Sequence, residues 1–191
     1  MSSDDLDTGP SLLAPGAREP SGRGMRIAAL LFIPLLLVLL VVVLVFYVFF
    51  TPLTVDGPSM EPTLYTGDRL LVTRGYRTPH RGDIVEIRSS RGEQTTELIK
   101  RVVALPGDTV EIRADVAWIN GVREPALGQF IERPYAVNVA PYVVPRGYLY
   151  VMGDNRAVSE DSRYIGPLPL SGANGKAVAV FSPITRMRLI P

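Results

Sequence analysis

Glu97-Leu98-Ile99-Lys100-Arg101-Val102-Val103-Ala104-Leu105-Pro106-Gly107-Asp108 has the period of a β-strand and the stop signal of a tight turn. Alternation puts Lys100 on the face of Leu98, Val102 and Ala104, and Arg101 on the face of Ile99 and Val103. One of the two charges must then lie against apolar neighbours. Pro106-Gly107-Asp108 ends the run with residues suited to a turn. Working outward, short apolar or alternating stretches recur at Arg69–Thr73, Asp83–Ile87, Thr109–Ile112, Ala117–Ile119, Tyr142–Val144, Tyr148–Met152 and Ala177–Phe181. Turn residues separate them, and Asn120-Gly121 is a strong two-residue hairpin signal. No segment beyond residue 50 carries a 3.6-residue period, so the expected class is all-β with mostly antiparallel strands.

Composition supports short strands and turns, since Gly and Pro number 17 each among 191 residues. It also narrows the chemistry. There is no cysteine, which removes thiol nucleophiles, disulfides and cysteine-held metals. The one histidine, His80, cannot build a multi-histidine metal site, and a Ser-His-Asp triad would have to use it. No cofactor is implied. The net charge of +1 points to no nucleic-acid partner.

A mean hydropathy of +0.19 is high for a chain with 20% charged residues. The excess lies in Ile27–Phe50, 24 residues with no charge. As a helix this run is about 36 Å long, against a hydrocarbon core of about 30 Å. A buried core helix would keep a polar face, and a cleaved signal sequence would be shorter and end in small residues rather than Phe49-Phe50-Thr51-Pro52. Arg18, Arg23 and Arg26 precede the run, and Arg69 is the first basic residue after it. The positive-inside rule keeps the N-terminal side in the cytoplasm and exports the remainder of the chain. The expected organisation is a disordered cytoplasmic tail (1–26), a single transmembrane anchor helix (27–50) in the plasma membrane, and an extracytoplasmic domain (51–191).

Three clusters in that domain can carry chemistry. In Gly57-Pro58-Ser59-Met60-Glu61-Pro62-Thr63-Leu64 two prolines stiffen the backbone around a small hydroxyl. Pro-Ser turns are common, so the hydroxyl alone decides nothing. In the stretch Glu97–Asp108, Lys100 is the charge that burial can neutralise, because desolvation lowers an amine pKa from about 10.4 and so makes a general base. A strand lysine with its head in water is the plainer reading. Met152-Gly153-Asp154-Asn155-Arg156-Ala157-Val158-Ser159-Glu160-Asp161-Ser162-Arg163-Tyr164 could be a polar scaffold behind a site or a loop held by its own turns.

Taken in order, Pro58-Ser59-Met60-x-Pro62-Thr63-Leu64, Gly67-Asp68-Arg69-Leu70-Leu71-Val72, Arg81-Gly82-Asp83-Ile84-Val85, Lys100 to Asp108, and Met152 to Tyr164 resemble the boxes of bacterial type I signal peptidases, membrane-anchored Ser-Lys endopeptidases. The resemblance implies that family's β catalytic core with a small cap between Arg113 and Tyr148. It implies Ser59 as nucleophile and Lys100 as base, with Ser159 orienting Lys100 and Asp161 and Arg163 paired behind it. It implies signal peptides of exported preproteins as substrates, cut after a small-x-small motif, and a monomer working at the lipid bilayer. Met60 and Leu64 are candidates for shaping the pocket, and Leu53–Asp56 with the approach to Lys100 for pairing with substrate. The chain departs from the family pattern at Gly57, where some members carry a second oxyanion donor, and at Ala157-Val158, where Asp-Asn is usual. A dead relative acting as a chaperone should have lost Ser59 or Lys100. A self-cleaving regulator would lack the span.

Overall fold

The computed structural model describes residues 22–91, 94–125 and 136–190, and the chain folds as two units, Met1–Leu44 and Val45–Pro191. The first helix, α1, runs Gly22–Phe49 with Pro34 inside it. Its stretch Leu30–Phe49 has a mean hydropathy of 3.3 and is long and apolar enough to cross a membrane. Most of the expected tail, residues 1–21, lies outside the described residues, whereas 22–26 are helical and not disordered. The helix also ends one residue before the expected boundary, because Phe50 opens a strand.

The domain is built from antiparallel strands, as the alternation implies. Eight form one curled sheet: β1 (Phe50–Thr54), β2 (Arg69–Thr73), β3 (Ile84–Arg91), β4 (Gln94–Ala104), β9 (Tyr148–Met152), β10 (Leu168–Pro169), β11 (Ala173–Ser182) and β12 (Arg188–Leu189). The order is β1-β2-β11-β3-β4-β9-β10, with β12 also on β11. A smaller sheet, in the order β7-β6-β5-β8, contains β5 (Thr109–Arg113), β6 (Val116–Ile119), β7 (Val122–Arg123) and β8 (Val139–Val143). Three of its strands, β6 to β8, fall between Arg113 and Tyr148, where a small cap is expected. Asn120 and Gly121 form the predicted β6–β7 turn with φ of 52° and 80°.

Leu64, Leu70, Val72, Ile84 and Val180 fill a core beneath β1 and β2, and Met60 joins them. Val85, Ile87, Val102, Leu149 and Val151 fill a second. Burying side chains of this size stabilises by about 1.5–3 kcal/mol each. A β-bulge between Val102 and Ala104 breaks the alternation of β4, and Val103 and Ala104 both pack in the core shared with Val110, Ile112 and Tyr150.

Candidate active site

Ser59 stands in the turn that follows β1. The Glu61 N–H donates to the Pro58 carbonyl at 3.1 Å and the Leu64 N–H to the Met60 carbonyl at 2.8 Å. Met60 and Leu64 are buried on either side of this turn's exit. The two side chains therefore nail the turn to the core and leave Ser59 half-exposed at its crest. From behind, the Asn155 N–H donates to the Ser59 carbonyl at 3.0 Å.

Lys100 comes from the middle of β4, paired with Val85 of β3. Only 4% of it is exposed, and its Nζ donates to Ser59 Oγ at 2.8 Å. Burial pushes its pKa down from 10.5, against the opposing pull of Asp161, Glu160 and Asp154. The two residues are 41 positions apart in sequence, and the curl of the sheet from β1 to β4 brings them together.

Both charges at the centre of β4 are buried, not one. Arg101 turns the other way and forks onto Asp154, with Nε–Oδ1 at 2.8 Å and Nη2–Oδ2 at 2.7 Å. Its Nη1 donates to the Gly82 carbonyl at 2.6 Å. A guanidinium cannot shed its proton, so it is buried only with a carboxylate partner.

The loop after β9 supplies the polar backing. Asp161 caps the short helix α2 (Ser162–Ile165) through the Arg163 N–H and also accepts from the Gly153 N–H at 3.0 Å. Arg163 Nε and Nη2 both donate to the Asp161 carboxylate at 2.9 Å. Burial alone would raise the Asp161 pKa, but the Arg163 bonds and charge win and hold it down. Ser159 Oγ lies near Asp161 and helps to hold that charge, yet it reaches hydrogen-bond geometry with no partner. Ser159 therefore makes no hydrogen bond to Lys100, the residue it is expected to orient. Gly153 explains the crowding: a Cβ there would sit 2.2 Å from Ser159 Oγ and 2.5 Å from the Ser59 carbonyl oxygen. Of the two departures from the family box Val158 is exposed and Ala157 half-buried, while Arg156 and Ser159 stay buried.

Beside the pair lies a cavity of about 110 Å³. Residues 53–56 form one wall, 97–100 the other, and Ser59 and Met60 the floor. β1 pairs only with β2, and β9 joins β4 only from Arg101 onward, so both walls keep an unpaired edge among the described residues. Met60 lines the cavity but Leu64 does not; Leu64 is fully buried in the core behind it. Glu86 also lines it, its pKa raised by burial and then by Glu97. Among the described residues no group of three or more acidic or histidine side chains could hold a metal ion. His80 stays outside the site, with 73% of its side chain exposed near Asp83.

The family model for signal peptidases, peptidase S26, matches residues 27–182. A signal peptidase I of Bacillus licheniformis is 40% identical over 151 residues, 73% of this chain and 80% of that protein. Signal peptidase IB of Staphylococcus aureus strain Mu50 is 34% identical over 157 residues, 72% of this chain and 81% of that protein. A crystal structure of a signal peptidase I from Enterococcus faecalis V583 aligns at 32% identity and TM-score 0.42, covering 53% of this chain and 98% of that one. On the family match and the identities to the Bacillus and Staphylococcus relatives the chain belongs to the signal peptidase family, peptidase S26, and is a peptide-bond hydrolase of the signal peptidase I class.

Proposed function

We propose that the chain is a membrane-anchored serine endopeptidase that removes signal peptides from exported preproteins by a Ser59–Lys100 dyad. The observation that carries this reading is the 2.8 Å bond from a buried lysine to the Ser59 hydroxyl. A neutral Lys100 takes the Ser59 proton as Oγ attacks the scissile carbonyl. The tetrahedral oxyanion forms against the Ser59 N–H, whose position the Asn155 bond to the same residue's carbonyl steadies. Collapse expels the new amine, which takes its proton from the Lys100 ammonium. The acyl group on Ser59 is then hydrolysed by a water that Lys100 deprotonates in turn.

The substrate runs extended between the two open edges at residues 53–56 and 97–100, adding backbone hydrogen bonds to each. A cavity of about 110 Å³ falls well short of the roughly 300 Å³ of a small-molecule pocket. It suits a side chain of one or a few heavy atoms, which favours cleavage after small residues. Met60 on its floor excludes longer ones. α1 serves as the anchor, with Arg18, Arg23 and Arg26 on the cytoplasmic side and the β-domain exported.

The test is cleavage of a model preprotein by the detergent-solubilised full chain, with the cut bond mapped. Ser59→Ala and Lys100→Ala should each abolish cleavage. Lys100→Arg should fail as well, because its head group stays charged. Retained turnover in any of the three sinks the dyad.

A further inference from the structure

The β5–β6 turn of the smaller sheet carries a carboxylate where a hairpin tip normally carries solvent-facing residues. Arg113 pairs with Val116, so Ala114 and Asp115 form a two-residue turn. Both have left-handed backbones, with φ of 47° and 64°. Ala-Asp is a poor choice for such a turn, in which Asn-Gly or Asp-Gly is favoured. Turn chemistry therefore does not account for Asp115. Its burial is equally unusual, with 0% of the residue exposed.

Every described polar contact of Asp115 is directed inward. Its N–H donates to the Val137 carbonyl at 3.0 Å, which ties the turn to the chain before β8. Its carbonyl accepts from Arg156 Nη1 at 2.9 Å. Its Oδ1 accepts from Arg163 Nη1 at 2.5 Å. Arg163 is thus a three-way junction: two of its nitrogens grip Asp161, one grips Asp115, and Nη2 also donates to the Arg156 carbonyl at 2.9 Å. Asp161 passes the constraint on to the Gly153 N–H, and Gly153 packs on Ser159 and on the Ser59 carbonyl.

We propose that Asp115 is a positioning residue for peptide hydrolysis: by fixing the third arm of Arg163 from the smaller sheet, it holds Asp161 and Gly153 where they keep the Ser59–Lys100 pair in register. This role rests on the Ser59–Lys100 dyad being the catalytic pair. Without Asp115 the fork keeps Asp161 and the Arg156 carbonyl on its Nε and Nη2 side but loses the acceptor of Nη1, and the Asp115 bond is what fixes that arm. The walls of the substrate cavity, 53–56 and 97–100, do not include Asp115, so its loss acts on turnover and not on substrate affinity.

The test compares Asp115→Gly with Asp115→Asn in the full-length, detergent-solubilised chain. Glycine keeps the left-handed backbone and removes the acceptor; asparagine tolerates the same backbone and keeps an oxygen for Arg163. Asp115→Gly should lower kcat by about tenfold to a hundredfold, as expected of a displacement approaching 1 Å, with KM unchanged. Asp115→Asn should restore kcat to within about threefold, because its acceptor replaces the lost one. In an Arg163→Lys background the fork is already gone, so adding Asp115→Gly should cost little more. Normal kcat in Asp115→Gly overturns the proposal. Full additivity with Arg163→Lys does the same. Loss of the folded state, or a rise in KM that parallels the fall in kcat, would make Asp115 merely structural and overturn it as well. Ser59→Ala and Lys100→Ala run alongside. If both are inactive while Asp115→Gly is normal, this role fails alone; if either is active, the dyad fails first and this role with it.

Discussion

Gly153→Ala is the sharpest perturbation of the site, because one methyl group would meet the Ser59 carbonyl and Ser159 at once. The new Cβ would lie 2.5 Å from the Ser59 carbonyl oxygen, 2.5 Å from Ser159 Cβ and 2.2 Å from Ser159 Oγ. Comfortable contacts between such atoms are about 3.5 Å, so the neighbours must retreat by roughly 1 Å. Ser159 is buried and the Ser59 carbonyl is held by the Asn155 N–H, so neither retreats freely. Overpacking of this kind costs about 1–3 kcal/mol of stability, which for a domain of this size is a fall of about 3–10 °C in Tm. A displacement of about 1 Å at the reacting atoms costs about a hundredfold in rate. Calorimetry and steady-state cleavage of a preprotein by the purified full chain measure the two effects separately. Gly175→Ala is the matched control: its Cβ would sit 2.0 Å from the Thr73 carbonyl oxygen, against β2 and away from Ser159. It should lower Tm comparably while sparing kcat at temperatures where the protein is folded. If Gly153→Ala lowers Tm but leaves kcat within about twofold of wild type, the Ser59 carbonyl is not what places its hydroxyl, and the coupling between the two is refuted.

Burial lowers the Lys100 pKa from 10.5, and in the proposed mechanism the neutral amine is the base. The rate kcat/KM should therefore rise with pH through that lowered value and level off below pH 10.5; a limb at the ordinary amine value would refute it. The same shift has a stability consequence. Between the lowered folded pKa and 10.5 the unfolded chain binds more protons, so stability rises with pH across that window and the cost is full below it. Lys100→Met removes the cost, and denaturant titrations should show a variant more stable than wild type at low pH and flat across the window. Gly57 has φ +84° with open space around its missing Cβ, so Gly57→Ser should lose about 1–2 kcal/mol through backbone strain and not through a clash. Its kcat should not rise, and a large rise would reveal an oxyanion donor that the backbone can accommodate. His80→Ala should leave turnover unchanged, since the imidazole is exposed, and a large loss would reopen a histidine mechanism.

What local pattern could reveal and what it could not divide along sequence separation. Arg69–Thr73 and Tyr148–Met152 form strands with the expected bounds, and Asn120-Gly121 turns as its chemistry demands, because alternation and turn preference act within a few residues. The β11 stretch was legible only from Ala177, since Gly175 and Lys176 interrupt the apolar run, although the strand starts at Ala173. Phe50 continues an unbroken apolar run, so hydropathy cannot tell the last turn of a helix from the first residue of a strand. Ser59 and Lys100 could be singled out because each sits in a setting that restricts it, a proline-flanked turn and an apolar strand. Their partnership could not be derived from alternation, since 41 residues and the curl of the sheet intervene. Arg101 marks the limit of alternation: the pattern requires one buried charge on β4, and the Asp154 carboxylate 53 positions away permits two. Leu64 shows the same limit from the apolar side, since its place in the Ser59 segment suggested a pocket wall whereas packing draws it into the core. Asp115 carries the weakest local signal of all, an acid in a short loop, while it is buried as deeply as any residue in the domain. Its side chain bonds Arg163, 48 positions away. A carboxylate buried in a hairpin turn that its own sequence disfavours needs a distant partner to explain it, and here that partner leads back, through Asp161 and Gly153, to Ser59.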